Sequence, residues 1–494
     1  MSSKKPKKTF RPKPRKAKGF EDRHGAILRA EQALIQSTLA VFDAHGFAPL
    51  ATPSFEYADV LGKFLPDEER PNAGVFAIED DDRQWLALRY DHTAPLARFV
   101  AEHYDALAKP FRRYAAGPVW RNEKPGPGRF REFIQIDADT VGTASPAADA
   151  EMVLLAAEVM QAAGLKPTEF TIQISDRRLL DVLLSDLGVA ETEAGIAQKG
   201  TVLRAIDKLE RLGESAVERL LGDGRKDQSG DFTKGAGLSA TAIAQVLRFT
   251  RTATSGRSQT LAALQNLLGS GAVGKAALDD LSRMEQLISA AGWEDTAIRF
   301  NPAIVRGLGY YTGPVFEADI TLDVTDAKGR PMRFGSVGGG GRYDGLVARF
   351  KGIEVPATGF SFGVSRFAAL MAGLGRLGDL DQGPVVILAL EPQQMSAYFA
   401  MADELRAANI RAEVYMGTSG MKAQMKYADK RNAPAVVIVG EDERTAGTVT
   451  VKDLGLGSKM SKQITDNTEW RQGRPAQTTG KRDELLALVQ AALS

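Results

Sequence analysis

Arg121-Asn122-Glu123-Lys124-Pro125-Gly126-Pro127-Gly128-Arg129-Phe130-Arg131-Glu132-Phe133-Ile134-Gln135 is the stretch on which the fold turns. The residues before it, Phe111 to Trp120, are basic and apolar and read as a strand. A second strand, alternating from Phe130, follows the Gly/Pro loop, so the whole reads as a β-hairpin with a long tip. Arg121, Arg129 and Arg131 stand at the strand ends, where guanidinium forks grip phosphate bidentately. Glu123 lies between them, and Phe133 is one strand step from Arg131. Arginines for phosphates, a carboxylate for a base amino group and an aromatic face for stacking make a nucleotide site. A plain charged hairpin with solvated arginines would carry the same residues.

Working outward, the 494 residues suffice for two to four domains. Charge is balanced, 63 Lys+Arg against 62 Asp+Glu, so any nucleic-acid contact must be a local basic patch. Cysteine is absent, which removes disulfides, thiolate metal sites and cysteine nucleophiles. The four histidines (His24, His45, His92, His103) show no zinc-ligand spacing, so no metal site is expected. No apolar run reaches membrane-span length. Residues 1–18 hold nine Lys/Arg, three Pro and no acid. They read as a disordered basic tail, with weak attraction to RNA as the sharper alternative. A cytoplasmic location is expected.

Residues 25–45 carry a helical repeat ending at Gly46. Strand-like runs follow near 86–91, 111–120, 130–142 and 169–175 without regular helical crossovers, which predicts a mainly antiparallel sheet. From 178 to 295 the texture turns helical, broken by a Gly-rich segment at 222–239. Strands resume at 297–321 and 331–338, and 359–374 reads as a strand entering a helix. Residues 373–383 read as a linker. Beyond it, apolar runs at 385–390, 412–415 and 435–439 alternate with helical stretches at 393–408 and 420–431, the pattern of a small parallel α/β domain.

Three further clusters carry candidate chemistry. Arg89-Tyr90-Asp91-His92-Thr93 ends a strand with a carboxylate and a hydroxyl, which can hold a substrate ammonium or simply cap the next helix. Arg306-Gly307-Leu308-Gly309-Tyr310-Tyr311-Thr312-Gly313 joins an arginine and three glycines to two tyrosines, and glycines let backbone approach a ligand. Gly338-Gly339-Gly340-Gly341-Arg342-Tyr343-Asp344-Gly345 lacks the P-loop Gly-Lys-Ser/Thr and reads as a hinge or a close backbone approach. Gly359 to Arg366 places Arg366 on a first helical turn.

Together these segments resemble the histidyl-tRNA synthetases, a branch of the class II aminoacyl-tRNA synthetases. Pro53, in Ala51-Thr52-Pro53-Ser54-Phe55-Glu56, matches the dimer-forming first class motif. Arg121–Gln135 matches the second and Gly359–Arg366 the third. The Arg306–Gly313 and Gly340–Gly345 segments match the histidine branch and its paralogues. Lys426–Lys430, Val436–Glu443 and Thr448–Asp453 resemble its anticodon-binding domain. The resemblance implies an α+β catalytic domain with a mainly antiparallel sheet at 20–372, a helical insertion at 178–295, and a C-terminal α/β anticodon-binding domain at 384–494, after a basic tail at 1–19. It also implies a homodimer.

The implied reaction joins histidine to tRNA(His) through a histidyl-adenylate, with ATP as substrate, Mg2+ accompanying it and no zinc. By resemblance Arg121 and Arg306 are catalytic. Arg121 holds the α-phosphate and the substrate carboxylate, and Arg306 neutralises the α-phosphate. Glu123 reads the adenine amino group, Phe133 stacks on the ring, and Arg129 and Arg366 take the outer phosphates or the far ring face. Asp91, Thr93 and Gln135 hold the α-ammonium. Asp139 accepts the imidazole N–H, and Tyr311, beside Tyr310, meets the other nitrogen. Asp91 and Asp139 stand where many bacterial members carry glutamate, Gly309 replaces a usual aspartate, and Lys124-Pro125-Gly126 lacks a glutamine used near the acceptor end. One rival is a non-catalytic paralogue regulating ATP phosphoribosyltransferase. It typically lacks the C-terminal domain and erodes the ATP arginines, which this chain keeps. A synthetase for threonine, proline or glycine is the other, and the double tyrosine argues for histidine.

Overall fold

The computed structural model describes residues 11–61, 74–126, 129–190, 192–226, 230–268, 271–305, 311–325, 331–332, 335–377, 380, 382–456 and 476–494. Arg306, Gly307, Leu308, Gly309 and Tyr310 therefore lie outside the described residues. The chain forms two compact units, one essentially residues 1–376 and the other essentially 377–494.

The first unit is built on an eight-stranded sheet. Across it run Ala48–Pro49, Phe111–Trp120, Glu132–Val141, Ala357–Gly363, Gly338–Arg342, Pro314–Ile320, Phe170–Asp176 and Ile298–Phe300. Only the two outermost pairings are parallel; the interior is antiparallel. The two faces differ in chemistry because side chains alternate along a strand. One face is apolar and carries Ile136, Ala138, Ile172, Ile174, Phe316, Phe360 and Phe362, all buried. The helix Pro146–Ala162 packs on this side. Ser145 caps that helix by accepting from the Ala147 amide, Pro146 follows at its first position, and Met152, Val153, Leu155, Ala156, Val159 and Met160 fill the interior. The other face carries Arg113, Gln135, Asp137, Asp139, Gln173 and Ser175, buried although polar.

Of the two sequence readings of Gly338–Gly345, a hinge or a close backbone approach, the hinge does not hold for Gly338–Arg342. This segment is an interior strand, buried at every position. A Cβ on Gly340 would sit 1.9 Å from the Gly359 carbonyl oxygen and 2.7 Å from the Phe316 ring. Low strand propensity is overridden because only glycine leaves room for the two phenylalanines, Phe316 and Phe360, which stack with ring centroids 6.1 Å apart. Arg342 fastens this strand to the helix behind it: Asp149, Thr143 O and Ser145 O all accept from its guanidinium.

Helices Arg177–Asp186, Glu193–Ile206, Leu209–Leu212, Glu214–Leu221, Ala240–Thr250, Arg257–Leu268 and Ala272–Ala290 follow the strand Phe170–Asp176. The Gly-rich interruption contains a short hairpin of Gly224–Lys226 and Phe232–Lys234.

The second unit has a five-stranded sheet in the order Ala412–Val414, Val385–Ile387, Ala435–Ile438, Thr448–Asp453, Gln477–Lys481. The first three strands are parallel, but the last two pair antiparallel, so the domain is mixed rather than purely parallel. The Thr448–Asp453 strand follows the short helix Glu441–Ala446 and returns antiparallel to Ala435–Ile438, which a reading keyed to parallel strand–helix alternation passes over. Buried Gln424 pins the Met421–Lys430 helix to the sheet, accepting from Ala389 N and donating to Ala389 O, both at 2.8 Å. Lys422, Lys426 and Lys430 recur every four residues on that helix and are exposed.

Candidate active site

The hairpin of Phe111–Trp120 and Glu132–Val141 sets the register of the site. Gly117 lies opposite Gln135, and Gln135 lies opposite Gly363 on the next strand. Arg121, one residue past its strand, and Arg366, on the helix Val364–Gly373 that follows Gly363, therefore stand at the same end of the sheet. That helix is tied to the hairpin by the Ile134 amide, which donates to Ser365 Oγ at 3.0 Å.

Arg121 is sandwiched between rings. Its guanidinium carbon is 4.4 Å from the Tyr90 centroid and 5.1 Å from that of Phe133. It donates to Tyr90 O at 3.4 Å and toward Gln135 Oε1 at 3.5 Å. Tyr90 also donates its hydroxyl to Glu123 Oε1 at 3.1 Å. Arg121, Glu123, Phe133 and Gln135 thus form one cluster, with Tyr90 as the member the sequence reading left without a role. Phe133, expected to take an adenine ring, meets the Arg121 guanidinium here. Arg366 donates to Ser336 O at 2.8 Å. Arg129 is exposed at the hairpin tip, where its amide donates to Gly126 O at 2.9 Å.

Behind Arg121 a stripe of polar side chains runs down the face of Glu132–Val141: Gln135, Asp137 and Asp139, spaced by two. Gln135 donates to Asp137 Oδ1 at 2.8 Å, and Asp137 Oδ2 is buried without a hydrogen-bond partner. Asp139 Oδ1 accepts from the Tyr343 hydroxyl, and Oδ2 lies 2.9 Å from an Arg113 nitrogen. That contact is an ion pair but lacks hydrogen-bond alignment, so Oδ2 also counts among the buried atoms without a hydrogen bond. Both oxygens thus have protein neighbours, yet a carboxylate has about four lone-pair sites and can accept further N–H groups. Burial pushes the Asp139 pKa up to about 6, the Arg113 charge opposes this, Asp137 adds to it, and the Tyr343 hydrogen bond lowers it. A Cβ on Gly359 would come within 2.1 Å of Asp139 Oδ1, so glycine there makes room for the carboxylate.

Tyr311 is two strands away. Gly341 pairs with Gly359, which pairs with Asp139, and a Cβ on Gly341 would sit 3.0 Å from the Tyr311 ring. The glycines at 359 and 341 leave the floor between Asp139 and Tyr311 low.

Asp91 does what the bland alternative proposed. Its Oδ1 accepts from the amides of Thr93 and Ala94 at 3.1 and 3.0 Å, capping the helix Thr93–Glu102. Burial raises its pKa, and the Ala94 amide opposes the shift. Thr93 is buried at the first helical position. His92, also buried, directs Nε2 at the carbonyls of Gln135 and Gly117, 3.2 and 3.3 Å away. Carbonyls only accept, so Nε2 carries the proton, and burial drives the pKa down to about 4.

Sequence reasoning missed Arg113, Asp137 and Tyr343. Asp137 was visible, since it shares the period-two register of Gln135 and Asp139. Arg113 and Tyr343 reach Asp139 through strand pairing and a turn, neither of which spacing reveals.

With that geometry in hand, sequence comparison decides the lineage: the family described as histidyl-tRNA synthetase matches residues 19–367. This chain belongs to the histidyl-tRNA synthetase family. An anticodon binding domain family matches residues 384–490. A histidine–tRNA ligase of Caulobacter vibrioides is 54% identical over 490 residues, 99% of this chain and 98% of the relative. One from Brucella ovis is 51% identical over 484 residues, 97% of this chain and 96% of the relative. The crystal structure of a Nostoc histidyl-tRNA synthetase superposes with a TM-score of 0.73 at 25% identity, covering 97% of this chain and 100% of that one. A Bacillus halodurans structure, described as an ATP phosphoribosyltransferase regulatory subunit/histidyl-tRNA synthetase, shares the fold with a TM-score of 0.66 at 20% identity over 87% of this chain and 99% of that one. The class II synthetase fold expected from the sequence is the fold observed.

Proposed function

We infer that this chain is a histidine–tRNA ligase: it activates histidine with ATP and transfers it to tRNA(His). The observation that carries the reading is the buried Gln135–Asp137–Asp139 stripe beside a ring-clamped Arg121, within a chain about half identical to histidine–tRNA ligases over nearly its whole length. The regulatory paralogue is not favoured, because the relatives that match end to end are ligases and the anticodon-binding domain is present.

In this reading the histidine carboxylate attacks the α-phosphorus of ATP and pyrophosphate departs. Alignment and charge stabilisation do the work, with no covalent enzyme intermediate. Arg121 meets the α-phosphate and the carboxylate. Arg306 neutralises the same phosphate, and Arg366 and Arg129 take the outer phosphates or the far ring face. Glu123 and Phe133 receive adenine once Arg121 turns to the phosphate. Gln135, Asp91 and Thr93 hold the ammonium. Asp139 accepts one imidazole N–H while Tyr311, flanked by Tyr310, meets the second nitrogen. A buried acceptor and donor matched to one side chain reject others by ~10⁴–10⁵-fold. Magnesium enters with ATP, and zinc has no part. The exposed Lys422, Lys426 and Lys430 suit an RNA backbone. We also propose a homodimer, on the Pro53 segment, and a cytoplasmic location.

The test is ATP–pyrophosphate exchange with histidine, followed by charging of tRNA(His). Exchange without charging would limit the reading to histidine activation; absence of both would refute it and favour the non-catalytic paralogue.

A further inference from the structure

Residues 11–18, the described part of the basic segment, lead into a fixed point of the fold. Residues 11–18 are exposed and contain Arg11, Lys13, Arg15, Lys16 and Lys18 with no acid. They lie outside the region that matches the family, which begins at residue 19. At that point the chain is fastened to the hairpin. The Arg131 amide donates to Gly19 O at 2.8 Å. The Arg131 side chain donates to Lys18 O at 3.4 Å and to Glu123 O at 3.0 Å, bridging the tail to the loop beside Arg121. Gly19 has φ +85, and a Cβ there would meet Arg131 Cγ and Cδ at 2.8 Å, so only glycine gives both the turn and the close approach. One residue on, Phe20 packs against Phe76 with centroids 5.7 Å apart. Lys16 is paired with Glu21, which leaves Arg11, Lys13, Arg15 and Lys18 as the outward charges.

A tail that served only solubility would need no fixed exit point. Here the exit is at the hairpin that carries Phe133 against Arg121, and in the ligase reading this is the end of the sheet to which the 3′ end of tRNA must come to accept histidine. We propose that residues 11–18 form an electrostatic arm that holds the phosphate backbone of the tRNA acceptor end. This rests on the ligase reading above and adds a contact to it. Each guanidinium or ammonium on a phosphate releases condensed counterions, so the arm contributes affinity that salt removes. It carries no base contact and confers no sequence preference.

The test replaces four charges in the full-length chain: Arg11→Gln, Lys13→Gln, Arg15→Gln and Lys18→Gln together. kcat/KM for tRNA(His) and for an acceptor-stem minihelix is measured from about 50 to 300 mM salt, where each lost phosphate contact flattens the log–log slope by roughly 0.7–0.9. The expected result is a slope shallower by about 3 with both RNAs and a loss of tenfold or more at the lowest salt, with histidine-dependent pyrophosphate exchange unchanged. An unchanged slope overturns the arm. A change seen with whole tRNA but not with the minihelix overturns its placement at the acceptor end. Loss of histidine-dependent exchange in the wild-type chain would remove the ligase reading instead.

Discussion

In the proposed reading Asp139 is the acceptor for the histidine imidazole, and its surroundings set the pH at which it can accept. It is buried between Arg113 and Tyr343, and its pKa stands at about 6. Because that value is raised, the accepting, ionised form is present above pH 6 and is lost as the pH falls through it. KM for histidine should therefore climb below pH 6. The substrate imidazole, with an ordinary pKa of about 6.5, protonates in the same window. The two are separated by Tyr343→Phe. Tyr343 lowers the Asp139 pKa, so its loss moves the enzyme's limb to higher pH and leaves the substrate's where it was. A limb that stays put after Tyr343→Phe would mean that Asp139 does not govern histidine binding. Arg121→Ala and Arg306→Ala should each slow adenylate formation by ~100-fold or more, as expected when a preorganised charge donor is removed. Exchange near the wild-type rate in either variant would strip that arginine of its role.

At the scale of elements, the hairpin was legible and the glycine strand was not. The period-two alternation and the Gly/Pro tip of 111–141 announce two paired strands, and the structure has them as Phe111–Trp120 and Glu132–Val141. Gly338–Arg342 reads as a hinge from propensity alone, because what makes it a strand is the pair of phenylalanines that occupy its missing side chains. The same limit hid Arg113 and Tyr343: their contacts with Asp139 depend on register and on a turn. Two substitutions test the glycine argument. Gly340→Ala forces a Cβ against the Gly359 carbonyl and the Phe316 ring, and overpacking of this kind costs about 1–3 kcal/mol, measured by denaturant unfolding. Gly359→Ala pushes on Asp139 itself, so it should raise KM for histidine tenfold or more, with the ATP KM little changed. Equal loss in both constants would indicate general damage to the sheet rather than displacement of Asp139.

At the scale of the molecule, two units carry separate tasks. The first holds the eight-stranded sheet and, in the proposed reading, the arginines for ATP. The second has its own core, centred on Val385, Ile387, Tyr398, Leu405, Val437, Val449, Leu485 and Val489. Its existence was readable from strand–helix alternation after residue 384. Its last two strands were not, because they pair antiparallel and extend the sheet beyond the parallel strand–helix repeat. Removing residues 384–494 should spare histidine-dependent exchange while crippling tRNA charging, provided the shortened chain still unfolds cooperatively. Charging that survives the deletion would mean the second unit does not read tRNA.

The most direct test of the central claim is pyrophosphate exchange run with each of the twenty amino acids in turn. The polar stripe of Gln135, Asp137 and Asp139, with Arg121 beside Gln135, predicts rapid exchange with histidine and none above background with the other nineteen. Exchange driven by a different amino acid, or by none, would contradict it.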